Sequence, residues 1–182
     1  MQTANNPPGR SSRRILTQDE VNRKLNRLVY QLIEDQHNID APFLLAGISG
    51  NGSILARRIG DLLGQRAPHH ACEHLEIQVD KKKPTAESTT LVGNAQLEGR
   101  TVTLVDDVLN TGRTMAFAML PFMARKIDRL RMMVLVNRDH LSFPLAPDYV
   151  GMSLATQHNE HIEVVFDQHS GQIESFLLGA DY

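Results

Sequence analysis

The stretch from Thr101 to Thr114 constrains the fold more than any other part of the sequence. It starts with an apolar run typical of a buried strand, and two carboxylates, Asp106 and Asp107, stand where that run ends. A short polar loop follows, and then a helical pattern that predicts a helix from about Gly112 to Arg125. The backbone N–H groups of such a loop, and the N-terminus of the helix after it, can bind a phosphate group. The two carboxylates can accept hydrogen bonds from sugar hydroxyls or approach a divalent metal ion.

The rest of the chain alternates apolar strand patterns with amphipathic helical patterns. Residues Thr17 to Glu20 form a capping box, which predicts the start of a first amphipathic helix. A second helix is predicted from Ile54 to Leu63, ending at Gly64. Strands are predicted at Phe43–Ile48, Leu75–Val79, Thr101–Asp106, Met132–Val136, Asp148–Met152, Ile162–Phe166 and Ile173–Leu178. This order of helices and strands indicates an α/β fold with a mainly parallel central sheet.

Two segments lack helix or strand periodicity. Residues 1–14 are rich in Asn, Pro, Gly and Ser, and we expect a disordered tail there, followed by a single domain at residues 15–182. The region from Lys81 to Gly99 contains three Lys and two Gly but no usable period. Because a loop this long inside a compact domain is usually functional or mobile, we expect it to serve a binding site.

Composition narrows the classes of function. At 182 residues the chain is long enough for one full hydrophobic core, and its net charge of −2 gives no overall basic footprint for nucleic acid. The single cysteine, Cys72, cannot form an intrachain disulfide and is typical of a reducing compartment. No apolar run is long enough to cross a membrane, and the N-terminus has no apolar signal-peptide core. We therefore expect a cytoplasmic protein without a membrane partner.

The segment Asp106-Asp107-Val108-Leu109-Asn110-Thr111-Gly112-Arg113-Thr114 resembles the phosphoribosyl pyrophosphate (PRPP) signature of type I phosphoribosyltransferases. Within that family the chain is similar to the pyrimidine-operon regulators known as PyrR, which also have uracil phosphoribosyltransferase activity. The resemblance covers roughly residues 15–167 and includes Leu135-Val136, Arg138 and His140. It implies a central sheet flanked by helices, a small hood, a mobile lid loop and a homodimer.

The resemblance also implies a role for each residue of the site. Asp106 and Asp107 are expected to bind the ribose hydroxyls of PRPP and to act as its catalytic carboxylates, with Mg²⁺ on the pyrophosphate and ribose oxygens. The expected 5′-phosphate loop consists of Asn110, Thr111, Gly112, Arg113 and Thr114. The expected pyrophosphate site consists of Ser49, Gly50, Asn51, Gly52 and Lys81. The region around Asn137, Arg138 and His140 is expected to form the hood over the base, and the region from about Asp80 to Gly99 the lid.

The implied chemistry agrees with these residue types. Displacement of pyrophosphate from C1 of the ribose passes through a cationic, oxocarbenium-like sugar, as glycosyl transfer does. Carboxylates beneath the ring stabilise that cation, while Mg²⁺ and a lysine neutralise the leaving group. A lid that closes over the site keeps water away from the sugar cation.

The sequence departs from the family pattern at three places. PyrR proteins carry Lys-Thr-Arg where this chain has Ser49-Gly50-Asn51, so two cationic groups are missing, for which Lys81–Lys83 can compensate. Purine phosphoribosyltransferases carry an Asp acid/base where this chain has Asn110, and an amide cannot do that work. A pyrimidine-like base is therefore expected, with uracil the first candidate. Neutral residues replace the RNA-binding cations, so RNA is not an expected partner: Leu141, Ala146 and Met152.

Other interpretations stay open. Asp106-Asp107 can be solvated strand-end acids, Lys81–Lys83 a solvated charge run, and Gly47, Gly50 and Gly52 a dinucleotide fingerprint. Arg138 and His140 can serve only to anchor the hood. Two histidine-containing groups lack a recognised zinc spacing and are taken as surface residues: His69, His70, Cys72 and His74, and His158 with His161. Two functions stand beside the enzyme: a nucleotide-responsive regulator of pyrimidine genes, and a PRPP-binding or nucleotide-binding module without turnover.

Overall fold

The computed structural model describes residues 12–36, 41–156, 160–167 and 172–178. The helices are α1 (Gln18–Gln36), α2 (Asn51–Arg66) and α3 (Arg113–Met123). The strands are β1 (Ser12–Leu16), β2 (Phe43–Ile48), β3 (Cys72–Gln78), β4 (Thr90–Val92), β5 (Thr101–Leu109), β6 (Arg129–Asn137), β7 (Tyr149–Ser153), β8 (His161–Phe166) and β9 (Ile173–Leu178). Each predicted strand is present, with some ends shifted by a few residues.

Six strands form the central sheet, in the order β4-β3-β2-β5-β6-β7. Strands β3, β2, β5, β6 and β7 run parallel to one another, and the edge strand β4 is antiparallel to β3. The prediction of an α/β fold with a mainly parallel sheet is confirmed. Parallel sheets need cover on both faces, which is why β2 is buried along its whole length.

Helices cover both faces of the central sheet. On one face, α1 and α2 share a buried cluster with the strands, in which Leu28 and Ile59 meet Leu45 and Val105. On the opposite face, α3 packs against the alternate positions of the same strands, in a cluster that includes Leu44, Ala46, Leu104, Met115, Ala118, Phe122 and Val134. Because successive residues of a strand face opposite sides, each central strand contributes to both clusters.

The neighbouring strands β2 and β5 mark the place where a ligand can enter. The chain leaves β2 into α2 on one face of the sheet and leaves β5 into α3 on the other face. The two connections therefore diverge and leave a crevice outside the carboxyl ends of the two strands. In open α/β sheets this switch point is where ligands bind.

The predicted capping box starts α1. The Thr17 N–H donates to Glu20 Oε2 at 2.8 Å, and the Glu20 N–H lies 3.4 Å from Thr17 Oγ1. These two side chains satisfy N–H groups that have no partner inside a helix, and together they fix where the helix begins.

A second, three-stranded antiparallel sheet has the order β1-β9-β8. Its buried residues Ile162, Val164 and Ile173 belong to the same cluster as α1 and α2. This sheet is built from the first strand and the last two strands. The region around Asn137–His140, which we expected to form the hood, does not belong to this small sheet. It is the end of β6 and the loop that follows it.

The structure corrects the boundary of the predicted tail. Residues 12–14 belong to β1, where Arg14 pairs with Phe176 of β9. The polar sequence Ser12-Arg13-Arg14 has no strand pattern of its own, and its pairing with a strand at the other end of the chain makes it extended. The remainder of the predicted tail lies outside the described residues.

Helix ends and the lid region also differ from the prediction. Helix α2 starts at Asn51 and continues through Gly64 to Arg66, because a single exposed glycine weakens a helix without ending it. Helix α3 spans Arg113–Met123, so it ends two residues before the predicted end, and Met123 is 69% exposed in its last turn. The long region predicted as loop contains the short strand β4, which pairs with the edge of the sheet at β3.

Two glycines of the same helix should respond in opposite ways to replacement by alanine. A Cβ at Gly52 would lie 2.7 Å from the Val105 carbonyl oxygen, whereas a Cβ at Gly64 would meet nothing within 4 Å. We predict that Gly52→Ala lowers the free energy of unfolding by about 1–3 kcal/mol through overpacking. Gly64→Ala should raise it by up to about 1 kcal/mol, since alanine favours the helix. Urea unfolding followed by circular dichroism measures both, and a stabilising Gly52→Ala would contradict the packing of α2 on β5.

Candidate functional site

Asp106 and Asp107 lie near the carboxyl end of β5, between the start of α2 and the start of α3. Only 5% of Asp106 and 9% of Asp107 is exposed. Strand β5 continues through both acids to Leu109, and Asp106 pairs with Val134 of β6. The pair is therefore held by the sheet itself, with less freedom than residues of a loop have.

Burial raises the pKa of the Asp106 carboxyl well above its ordinary value, because the charged form loses hydration and is repelled by Asp107. The Lys81 ammonium opposes this rise, with Nζ 3.9 Å from Asp106 Oδ1. The same carboxylate oxygen accepts a hydrogen bond from the Asp107 N–H at 3.0 Å. Such a buried acid pair is stabilised by any further positive charge that enters the site.

Asn51 holds the second acid. Its Nδ2 donates to Asp107 Oδ2 at 2.8 Å and to the Val164 carbonyl oxygen at 2.9 Å. The first contact fixes the Asp107 carboxylate, and the second joins the start of α2 to β8 of the small sheet. Asn51 was predicted to bind pyrophosphate, but its side-chain amide is turned toward protein groups, so only its backbone N–H is left for that role.

The rest of the predicted pyrophosphate turn is divided between a strand end and a helix start. The Ser49 N–H donates to the Ile77 carbonyl oxygen at 2.8 Å, so it extends the β2–β3 pairing and is not available to a ligand. Gly50 has a φ of 87°, which favours glycine, and it caps α2 without a side-chain hydrogen bond. A Cβ on Gly50 would lie 3.9 Å from Lys81 Nζ, so the lysine stands beside this helix start. Gly52 lies in the first turn of α2, where N–H groups have no partner inside the helix.

The predicted 5′-phosphate loop leads into a second helix start of the same kind. Gly112 caps α3 in the left-handed conformation, with a φ of 80° and no side-chain hydrogen bond. The N–H groups of Ser142 and Phe143 donate to the Thr111 carbonyl oxygen at 2.9 and 3.2 Å, which anchors the loop from outside. A cavity of about 180 Å³ lies here, lined by Lys81, Asp106 and residues 108–115, which include Asn110, Arg113 and Thr114.

Helices α2 and α3 differ from α1 in how they begin. Helix α1 is capped by Thr17 and Glu20, whereas the N-cap residues of α2 and α3 are the glycines Gly50 and Gly112, which have no capping side chain. At α3 the Arg113 N–H lies 3.4 Å from Thr111 Oγ1. The other N–H groups of each first turn, together with the helix dipole, make each start a favourable place for an anion. The site therefore offers two anion positions, one on either side of a buried pair of carboxylates.

The predicted base region lies next to this loop. The Arg138 guanidinium donates to Asn110 Oδ1 and to Thr156 Oγ1, each at 2.5 Å. Asn137 ends β6, and its Oδ1 is buried without a hydrogen-bond partner among the described residues. His140 is exposed in the loop between β6 and β7. Arg138 and Asn110 are thus brought into contact, whereas His140 stands at the surface.

The possible metal clusters find no support in the described part of the chain. Cys72 Sγ lies 3.7 Å from His74 Nε2, and burial raises the pKa of the thiol to about 12, which keeps it protonated. His70 packs its ring against Phe43. No group of three or more His, Cys, Asp or Glu side chains among residues with a described position could hold a metal ion. His158 lies outside the described residues.

Sequence reasoning missed two contributors to the site. Thr156 accepts a hydrogen bond from Arg138, and the Val164 carbonyl accepts one from Asn51. Neither has a local sequence signal, because a carbonyl oxygen belongs to every residue and Thr156 follows a strand with no motif around it.

Within the described ranges, no helix is long and apolar enough to cross a membrane.

A family model for the phosphoribosyl transferase domain matches residues 11–169 of the chain. The chain belongs to the phosphoribosyltransferase family. It is 34% identical over 173 residues to "Bifunctional protein PyrR" of Lactococcus lactis subsp. cremoris (strain SK11), covering 90% of this chain and 95% of that protein. It is 29% identical over 171 residues to the protein of the same name from Fusobacterium nucleatum, covering 90% of this chain and 96% of that protein. The predicted relationship to the PyrR group is confirmed.

Solved structures of the family share the fold. The hypoxanthine phosphoribosyltransferase of Trypanosoma cruzi superposes with a TM-score of 0.73 at 14% identity, over 93% of this chain and 97% of that chain. A hypoxanthine-guanine phosphoribosyltransferase from Bacillus anthracis gives a TM-score of 0.65 at 16% identity, over 82% and 84% of the two chains. At this identity the likeness concerns the fold and carries no information about the base.

Burial of the charged Asp106 should lower the free energy of unfolding, and a neutral residue at this position should restore it. We predict that Asp106→Asn raises the free energy of unfolding at neutral pH, because the pKa of Asp106 is higher in the folded state than in the unfolded chain. Below the unfolded pKa of about 3.9 the acid is protonated in both states, and no cost arises. The loss of unfolding free energy caused by Asp106 grows as the pH rises from this unfolded pKa to the higher pKa of Asp106 in the folded state. Lys81, whose side chain is 45% exposed, can turn to water in the variant.

Urea unfolding of both proteins at about pH 4 and at neutral pH checks this expectation. Glu87→Gln, which removes an exposed carboxylate, is the matched control and should show no such pH-dependent gain. A gain for Asp106→Asn that is equal at the two pH values would contradict the raised pKa.

The Asn51 bridge gives a second expectation. Asn51→Ala leaves Asp107 Oδ2 and the Val164 carbonyl without their shared donor, which should cost about 1–3 kcal/mol of unfolding free energy. The isosteric Asn51→Asp should cost more at neutral pH, because it adds a third carboxylate beside the pair, and the difference should shrink in acid. Asn94→Asp, at an exposed asparagine, controls for the added charge. Equal effects of Asn51→Asp and Asn94→Asp would contradict the bridge.

Proposed function

We propose that this protein transfers the phosphoribosyl group of PRPP to a pyrimidine-like base, with uracil the first candidate. The observation that carries the proposal is that two helices capped by glycine start beside Asp106 and Asp107. PRPP carries phosphate at both ends of a ribose. Its two anionic ends suit the two helix starts, and its hydroxyls suit the carboxylates.

The groups around each helix start decide which end of PRPP, the 5′-phosphate or the pyrophosphate, we assign to it. The 5′-phosphate is assigned to the loop Asn110–Thr114 at the start of α3, where backbone N–H groups and the hydroxyls of Thr111 and Thr114 are at hand. The pyrophosphate is assigned to Gly50–Gly52 at the start of α2. Lys81 supports that choice, because its ammonium lies beside Gly50 and the pyrophosphate end carries the greater charge.

The reaction breaks the bond between C1 of the ribose and the pyrophosphate oxygen, whose electron pair leaves with pyrophosphate. The base nitrogen supplies the pair for the new C1–N bond, and its proton goes to solvent. Positive charge develops on the sugar between these events. Asp106 and Asp107 stabilise that charge from their fixed places in β5, and Lys81 stabilises the charge of the departing pyrophosphate.

The residues present fit a magnesium ion. Asp106 and Asp107 supply hard oxygen ligands, and burial makes a nearby cation favourable. Two carboxylates do not complete its coordination shell, so the substrate and water would supply the other ligands, as is usual for Mg²⁺ with phosphate ligands. When bound, Mg²⁺ would neutralise charge on the leaving pyrophosphate.

The resemblance to the family also makes a homodimer part of the proposal.

A regulator of pyrimidine genes is the second candidate. Relatives carry the names "Bifunctional protein PyrR" and "Pyrimidine operon regulatory protein", the latter from Lactococcus lactis subsp. cremoris (strain MG1363). Against an RNA partner, Leu141 and Ala146 are exposed neutral residues and Met152 is half-buried. A binding module without turnover is the third candidate, which the neutral turn Ser49–Asn51 favours.

A base panel tests the leading proposal. We predict that the protein, with PRPP and Mg²⁺, releases pyrophosphate in the presence of uracil and much less with cytosine, hypoxanthine or guanine. Lys81→Ala should lower kcat/KM by about tenfold to a hundredfold, less than a fully buried donor would, because Lys81 is half-exposed. The control Lys126→Ala removes a lysine whose side chain is 88% exposed and should leave kcat/KM unchanged.

The outcomes separate the three candidates. No pyrophosphate release with any base would reject the enzyme. In that case, calorimetry that still shows PRPP binding, lost in Asp107→Asn, would favour the module. A gel shift with pyrimidine leader RNA at low salt would favour the regulator, and its absence would remove the RNA version of that candidate.

A further inference from the structure

Asn110, the first residue after β5, is held by a buried arginine. Arg138 donates from Nη1 to Asn110 Oδ1 and from Nε to Thr156 Oγ1, each at 2.5 Å. The arginine is 6% exposed, and its own N–H donates to the Leu109 carbonyl oxygen at 2.9 Å. The guanidinium of Arg138 is thus held by two side-chain contacts, and its main chain is held by a backbone hydrogen bond.

This contact settles the orientation of the Asn110 amide. A guanidinium has only hydrogen-bond donors, so the amide atom that faces it must be the oxygen. The guanidinium thus distinguishes two amide atoms that have nearly the same shape. The NH₂ group is therefore the one presented elsewhere, and no described residue accepts a hydrogen bond from it. Asn110 lines the cavity beside Asp106 and the predicted phosphate loop.

We infer that Arg138 is a positioning residue that holds Asn110 as a hydrogen-bond donor to a carbonyl oxygen of the base. The inference rests on the proposed function and deepens it, since it names a group that contacts the base. Uracil carries two carbonyl oxygens as its exocyclic groups, so it can meet a fixed donor. An Asp at position 110 would also pair with Arg138 but would offer the base only acceptors. The residue at position 110 therefore decides whether the base meets a hydrogen-bond donor or an acceptor, and Arg138 fixes the orientation of that residue's side chain.

Binding of two ligands isolates the contact to the base. Uridine 5′-monophosphate and ribose 5-phosphate share the sugar and the phosphate, and only the first carries the base. The Kd of ribose 5-phosphate divided by the Kd of uridine 5′-monophosphate, both measured by calorimetry, therefore reports the contribution of the base. Effects on the phosphate cancel in this ratio. Asn110→Asp keeps the size of the side chain and the acceptor for Arg138, and it replaces the donor NH₂ group by a carboxylate oxygen. The charge that this adds acts on the phosphate of both ligands alike, so its effect there cancels in the ratio. We expect the ratio to fall about tenfold in this variant, as for the loss of one hydrogen bond.

A double-mutant cycle tests the part played by Arg138. Arg138→Met frees the Asn110 amide to turn and should lower the ratio severalfold. Arg138→Lys keeps one cationic donor but not the two-pronged guanidinium, so it should recover only part of the ratio. Because Arg138 acts through Asn110, Arg138→Met should have no further effect on the ratio in the Asn110→Asp background. The affinity for ribose 5-phosphate and the unfolding midpoint show for each variant whether the site is still folded.

Two results would overturn the inference. One is an equal loss of affinity for both ligands in Asn110→Asp, which would place Asn110 on the phosphate alone. The other is a loss from Arg138→Met of the same size in both backgrounds, which would make Arg138 a merely structural residue. Neither result depends on turnover, so a protein that fails the pyrophosphate-release assay can still support or refute the inference.

Discussion

Two carboxylates buried side by side in β5 set requirements that the rest of the site meets. Asp106 and Asp107 repel each other and are screened from water, so each needs a partner. Lys81 pairs with the first and Asn51 with the second. These partners come from different elements, just after β3 and at the start of α2, and they meet because β3, β2 and β5 are parallel neighbours with their carboxyl ends at one edge. Strand order thus decides which side chains can stabilise the pair.

The neutral turn at Ser49–Asn51 gains a physical explanation from this arrangement. A cation at position 51 would neutralise Asp107, whereas the Asn51 amide donates a hydrogen bond and leaves the charge in place. The hydrogen bond therefore orients the Asp107 carboxylate without placing an opposite charge beside it. The same amide also binds the Val164 carbonyl of β8, so it connects the central sheet to the small sheet.

The sequence predicts the parts of this protein that depend on local patterns. The apolar runs of β2 and β5, the Thr17–Glu20 cap and the acid pair each have a signal within a few residues, and the structure contains them. The parts that were missed depend on distant partners. Strand β1 is extended because it pairs with β9, and Asn51 faces inward because Asp107 and β8 are there to accept its hydrogen bonds. Such contacts are set by the fold as a whole, and no periodicity in the sequence announces them.

The two ends of the site depend on different kinds of atoms. The predicted phosphate positions are formed by backbone N–H groups at helix starts and by glycines with positive φ, so they follow from the fold. The fold is shared with hypoxanthine enzymes at only 14–16% identity, and such positions can be shared with it. The proposed base contact, by contrast, depends on the side chains of Asn110, Arg138 and Thr156, which lie in loops where single replacements leave the sheet intact. A likeness of fold therefore says nothing about the base, whose choice has to be argued from those three side chains.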